Sequence, residues 1–118
     1  MTENLPKVYN LEERTYQFTR KVVDFCKKLP RTPSNVEYSR QVLRSAGSVG
    51  ANYIEANESL SKKDFKMRIK ICRKEAKESA YWLRILIETN ESEPKEGGLR
   101  IFEEAVELKK IFSSIAEK

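Results

Sequence analysis

Apolar side chains recur at helical spacing in four stretches of the chain, and no stretch sustains the apolar–polar alternation of a strand. In the first, Leu11, Thr15, Phe18, Val22, Phe25 and Leu29 follow at intervals of four and three, the seam of a helix lying lengthwise on a partner. Asn10 with Glu13 supplies a start signal, and Pro30-Arg-Thr-Pro33 a stop. The second stretch carries Tyr38, Val42, Ala46, Val49, Tyr53, Ala56 and Leu60, and Ser34 with Glu37 predicts its cap. Gly47 and Gly50 fall inside it, each costing about 1 kcal/mol relative to Ala in a helix interior. The apolar register crosses both without a phase shift. That predicts one unbroken helix whose missing side chains admit a neighbouring backbone; a break at the glycines is the alternative.

Ser61 with Asp64 opens the third stretch, which runs to about Thr89 with Phe65, Ile69, Cys72, Ala76, Ala80, Leu83 and Ile87 as its core stripe. Thr89 to Gly98 holds turn formers and reads as the longest loop. A fourth helix follows on Ile101, Ala105, Leu108, Phe112 and Ile115. Four amphipathic helices with short connections make an all-α fold, an antiparallel up-and-down four-helix bundle, the economical arrangement. A single domain is expected over residues 1–118, with 1–9 an extended or disordered leading segment and 89–98 the loop before the last helix.

Of the 118 residues, 39% are hydrophobic and 35% charged, too apolar for a disordered chain and too charged for a membrane protein. No window approaches the roughly 20 apolar residues of a bilayer span. The opening residues, Met1 to Pro6, do not read as a signal peptide, so a cytoplasmic protein without a membrane partner is expected. Cys26 and Cys72, 46 positions apart and both on apolar stripes, are expected to be reduced core side chains. The chain has no histidine, which removes the commonest general base and the commonest zinc ligand. No catalytic residue, metal ligand or cofactor is assigned, and the composition leans against an enzyme.

The net charge is +5, but its placement matters more than its size. Between Lys62 and Lys77 stand eight basic and two acidic residues, whereas the rest of the chain holds 15 basic and 16 acidic ones. At about 100° per residue with Lys62 at 0°, the third helix centres its core stripe near 320°. Lys62, Lys66, Lys70, Arg73, Lys77 and Arg84 then fall between about 0° and 80°, a ridge down one flank, with Lys63 beside it. Such a ridge is compatible with a solvated edge or an acidic protein partner. The shortage of interleaved acids favours a polyanion, because each phosphate neutralised releases condensed counterions. Arg40 and Arg44 of the second helix extend the positive surface on this reading. On the same wheel Met67, Ile71, Trp82 and Ile85 cluster at about 140–200°, away from the core. Four such side chains left in water make an adhesive patch, which predicts self-association; deeper wrapping of this helix by the bundle is the alternative.

The segment Gln41-Val-Leu-Arg-Ser-Ala-Gly-Ser-Val-Gly-Ala-Asn-Tyr-Ile-Glu-Ala56, with Ser61-Lys-Lys-Asp-Phe65 and Glu75-Ala-Lys-Glu-Ser-Ala-Tyr-Trp-Leu83, resembles the four-helix-bundle proteins encoded in intervening sequences of bacterial 23S rRNA genes. Leu11-Glu-Glu-Arg-Thr-Tyr-Gln-Phe18 looks like their first helix, and the resemblance weakens in the last. It implies a bundle that assembles as a homo-oligomeric ring, in known relatives a pentamer. A related branch, the accessory variability proteins of diversity-generating retroelements, associates with a reverse transcriptase and with nucleic acid. Asn52 and Glu55 match the Ala-Asn-x-x-Glu motif of this family. They are expected to hydrogen-bond between helices or subunits, or else to line a partner groove with Arg44. The functional expectation is a non-enzymatic oligomer that grips RNA or DNA through phosphates on Lys62, Lys63, Lys66, Lys70, Arg73 and Lys77, with little base preference. The rival is an interaction module docking an acidic protein, such as a reverse transcriptase or a ribosome-associated protein.

Overall fold

The computed structural model describes residues 10–90 and 95–118. They form α1 (Leu11–Lys27), α2 (Pro33–Asn57), α3 (Lys62–Glu88) and α4 (Lys95–Ala116), with no strand among the described residues. The expected leading segment 1–9 and positions 91–94 of the expected loop lie outside them. No helix is long and apolar enough to cross a membrane among the described residues.

Burial follows the sequence seams. α1 buries Leu11, Thr15, Phe18, Val22 and Phe25. The polar member of that set is accommodated because the Thr15 hydroxyl donates to the Leu11 carbonyl at 2.7 Å and so is not left unpaired. Facing it are Val42, Ala46, Val49 and Ala56 of α2, Ile69, Cys72, Ala76 and Leu83 of α3, and Ile101, Ala105, Leu108 and Phe112 of α4. Each large apolar side chain so buried contributes about 1.5–3 kcal/mol.

Helices adjacent in sequence are adjacent in space, and α4 returns beside α1. Cross-helix hydrogen bonds fix the antiparallel sense. Thr19 of α1 donates to the Ala46 carbonyl of α2 at 3.0 Å while Asn57, at the far end of α2, reaches Glu12 at 3.2 Å. Between α2 and α3, Arg68 donates to Asn52 at 3.0 Å, and Asn35 pairs reciprocally with Asn90 at 2.8 and 2.9 Å. Of the four neighbouring pairs α1 and α4 meet least closely, leaving a groove of about 660 Å³ bridged by Arg14, whose guanidinium donates to both Glu104 oxygens at 2.7 and 2.9 Å.

The expected unbroken second helix is present. At Gly50 a Cβ would stand 3.1 Å from Thr15 Oγ1, so this glycine lets α1 approach; Gly47 has open space where its Cβ would be. Four expectations need correction. α2 is capped by Thr32, whose Oγ1 accepts from the Asn35 amide at 3.1 Å, and not by Ser34 with Glu37. Pro33 occupies the first helical position, where its missing N–H has no intrahelical partner to lose. Leu60 is 99% exposed and no part of the core, because α2 ends at Asn57 and the chain turns toward the Ser61 cap of α3. Asn10 precedes α1 without a side-chain cap hydrogen bond. Lastly, α4 begins at Lys95, so Gly97 and Gly98 are helical and not loop. Gly98 is there for clearance: a Cβ would lie 2.8 Å from Ile87 Cγ1 and 3.0 Å from Phe25 Cε1.

Candidate nucleic-acid interface

Twenty-seven residues of α3 extend about 40 Å at 1.5 Å per residue. The helix starts where expected, with Ser61 Oγ accepting from the Asp64 amide at 3.1 Å. Because Ile69, Cys72, Ala76 and Leu83 must face inward, the rotation of the helix is fixed and its basic flank is forced outward. Lys62, Lys63, Lys66, Lys70 and Lys77 are exposed, and Arg73 is half-buried.

Two acids of α3 lie on the opposite side. Glu75 and Glu78 turn toward α2, where the Arg44 guanidinium lies 3.5 Å from the first and donates to the second at 2.6 Å. Arg84 is occupied by Glu88 at 3.1 Å, and Arg68 by Asn52. Among the described residues none of Lys62, Lys63, Lys66, Lys70, Arg73 or Lys77 forms an ion pair. The ridge is thus a row of cations without local neutralisation, which raises the positive potential along one edge of the bundle. Arg40 and Arg44 do not extend it, contrary to expectation. Arg40 pairs with Glu37 and Arg44 with the α3 acids, so both charges are compensated.

Asn52 sits between helices: its amide donates to the Ser48 carbonyl and hydroxyl, both at 2.9 Å, and its oxygen takes the Arg68 hydrogen bond. Glu55 is exposed, and the structure does not join it to Asn52 or Arg44. Of the four outward apolar residues of α3, Met67 is 48% exposed, while Ile71, Trp82 and Ile85 are half-buried. Trp82 leans on α2, stacking on Tyr38 with ring centres 5.7 Å apart, so the four do not form one free patch.

Other chemistry is sparse. Burial pushes the Cys72 thiol up to about 12, and its Sγ donates to the Val49 carbonyl at 3.4 Å; burial also raises the half-buried Cys26. Thiols held protonated in this way are poor nucleophiles. The α1–α4 groove mixes signs, with Glu13, Asp24 and Glu104 against Arg14, Lys21 and Lys28, over a floor of buried Phe18 and Phe25. No group of three or more acidic or cysteine side chains able to hold a metal ion occurs among the described residues.

Sequence reasoning missed the aromatic cluster on this helix. Tyr81 meets Trp82 edge to face at 5.0 Å, and Trp82 in turn stacks on Tyr38. The adjacent aromatics Tyr81 and Trp82 were the available signal, but the third ring comes from α2.

Residues 8–114 match the family described as 23S rRNA-intervening sequence protein. None of the curated proteins matches the chain. Among solved structures, a protein of unknown function from the S23 ribosomal protein family of Bacteroides thetaiotaomicron superposes with a TM-score of 0.78 at 32% identity, covering 91% of this chain and 98% of that one. With the matched residues running from before α1 almost to the end of α4, this chain belongs to the 23S rRNA-intervening sequence protein family.

Proposed function

We propose that this chain is a non-enzymatic, self-assembling nucleic-acid-binding or adaptor protein that holds RNA or DNA by its phosphates along α3. The observation that carries the reading is the separation of charge on that helix. Glu75 and Glu78, on the flank facing α2, are engaged by Arg44, and Glu88 at the end of the ridge by Arg84, while six cations of the ridge have no carboxylate partner among the described residues. Cations spaced about one helical turn apart repel one another, and a bound polyanion offsets that repulsion while releasing its own counterions. Contacts of this kind position a nucleic acid without reading its bases.

Self-assembly is supported by apolar side chains left in water. Met67 is exposed on α3, and separately Val36, Leu43 and Ile54 are exposed on α2, where they fall on one line of that helix at about 100° per residue. Repetition of the ridge in several subunits converts weak phosphate contacts into avidity. Light scattering with in-line chromatography, with and without a labelled RNA, tests both parts. The expected particle is a multiple of the 13.8 kDa chain, and RNA migrates with it. A monomeric mass removes the assembly, and RNA eluting apart at low salt removes the binding. A protein partner captured from lysate and retained after nuclease treatment assigns the ridge to an acidic protein surface instead.

A further inference from the structure

We infer that the nucleic acid held on α3 is single-stranded, with Tyr81 as a stacking platform for an unpaired base at the end of a phosphate track formed by Lys70, Lys74 and Lys77. The inference rests on the phosphate-binding reading above and adds the class of strand to it. At about 100° per residue these four side chains lie within about 60° of one another on the helix surface. They succeed one another over about 16 Å of axis at 1.5 Å per residue. All four are exposed, Tyr81 to 59%. The three lysines make no ion pair among the described residues.

A tyrosine standing free in water would be a poor platform, because a base would have to immobilise it. Tyr81 is already held. Its ring meets Trp82 at 71° with centres 5.0 Å apart, and Trp82 is anchored to α2 by its stack on Tyr38. A near-perpendicular contact fixes the orientation of the ring and leaves it a face with no aromatic partner among the described residues. A positively charged track with a pre-oriented aromatic beside it suits single strands, whose bases are free to stack on a π-face. In a duplex the bases are already stacked on one another, so the lysines alone would act.

The test compares binding of oligo-uridine, oligo-deoxythymidine and a blunt duplex of equal length to the wild-type protein, Tyr81→Ala, Tyr81→Phe and Lys70→Gln/Lys77→Gln. Tyr81→Ala is expected to lower affinity for the single strands about 10- to 100-fold, the range measured for one stacked base, without changing the salt dependence. Duplex binding stays as it was, and Tyr81→Phe restores the single-strand affinity. The lysine variant weakens single strands and duplex alike and flattens the salt dependence. The two single strands, compared with each other, say whether the ribose hydroxyl contributes. If Tyr81→Ala leaves single-strand binding unchanged, or weakens duplex equally, while the lysine variant still loses affinity, the stacking role is overturned and the phosphate reading stands. If the wild-type protein binds none of the three probes, both fall together.

Discussion

Replacing Lys66, Lys70 and Lys77 together with Glu is expected to lower affinity for nucleic acid at least about 100-fold near 0.1 M salt. Each replacement removes one phosphate contact and sets a like charge in its place, and a unit pair at contact distance is worth about 1 kcal/mol even in bulk water. The three side chains are exposed and without ion pairs among the described residues, so the bundle itself loses little; surface changes of this kind usually stay within about 0.5 kcal/mol. Fluorescence anisotropy with a labelled RNA reads the affinity, and circular dichroism with urea unfolding reads the fold. The matching triple replacement of Glu13, Glu103 and Glu117 by Gln, exposed acids on α1 and near or on α4, is the control that should not weaken binding. Affinity unchanged within twofold in the lysine variant would remove the ridge from the function.

Phe112→Ala is expected to destabilise the bundle by about 3–5 kcal/mol, the range for truncating a buried aromatic ring. The side chain is fully buried on α4 and packs at a tilt against Tyr53 of α2, with ring centres 5.8 Å apart. Nothing in a rigid four-helix core moves far enough to refill the volume of a phenyl ring. Urea unfolding of the variant should therefore show a lower midpoint with an unchanged slope. A loss below about 1 kcal/mol would mean that α4 is not packed into the core as described. An instructive contrast is Tyr16→Ala: this ring is 54% exposed on α1, and its removal should have a small effect.

The seams of α1, α3 and α4 were readable because a 3.6-residue period needs only the identity of the residues along it, and the structure buries nearly the same side chains. Positions set by what packs against them were not. Leu86 lies off the expected stripe yet is fully buried, because α3 is flanked closely by both α2 and α4 and hides a wider sector than one seam. Gly98 looked like a loop residue, and only the approach of Ile87 and Phe25 explains a glycine inside α4. Ser34 was expected as the cap of α2, but Pro33 takes the first helical position and leaves the cap to Thr32.

Something similar holds for the candidate interface. The concentration of lysines was plain from the sequence, as was their confinement to one flank. Which of the neighbouring charges were already compensated was not, because Arg44 meets Glu78 across 34 residues of chain and Arg68 meets Asn52 across 16. Once Arg44, Arg68 and Arg84 are seen to be engaged, the cations of α3 without an ion pair among the described residues reduce to one flank of that helix. The role of Tyr81 depends likewise on Tyr38, 43 positions earlier, holding Trp82 in place.

The most direct measurement is the affinity of the unmodified protein for a labelled nucleic acid across a salt series. Six cations engaging six phosphates give a slope of log affinity against log salt near −4 on a single strand, or near −5 on a duplex. The lysine-to-glutamate variant should show less than half of that slope wherever binding is still detectable. Affinity that is insensitive to salt, or a slope that survives the removal of Lys66, Lys70 and Lys77, would contradict a phosphate grip by this helix.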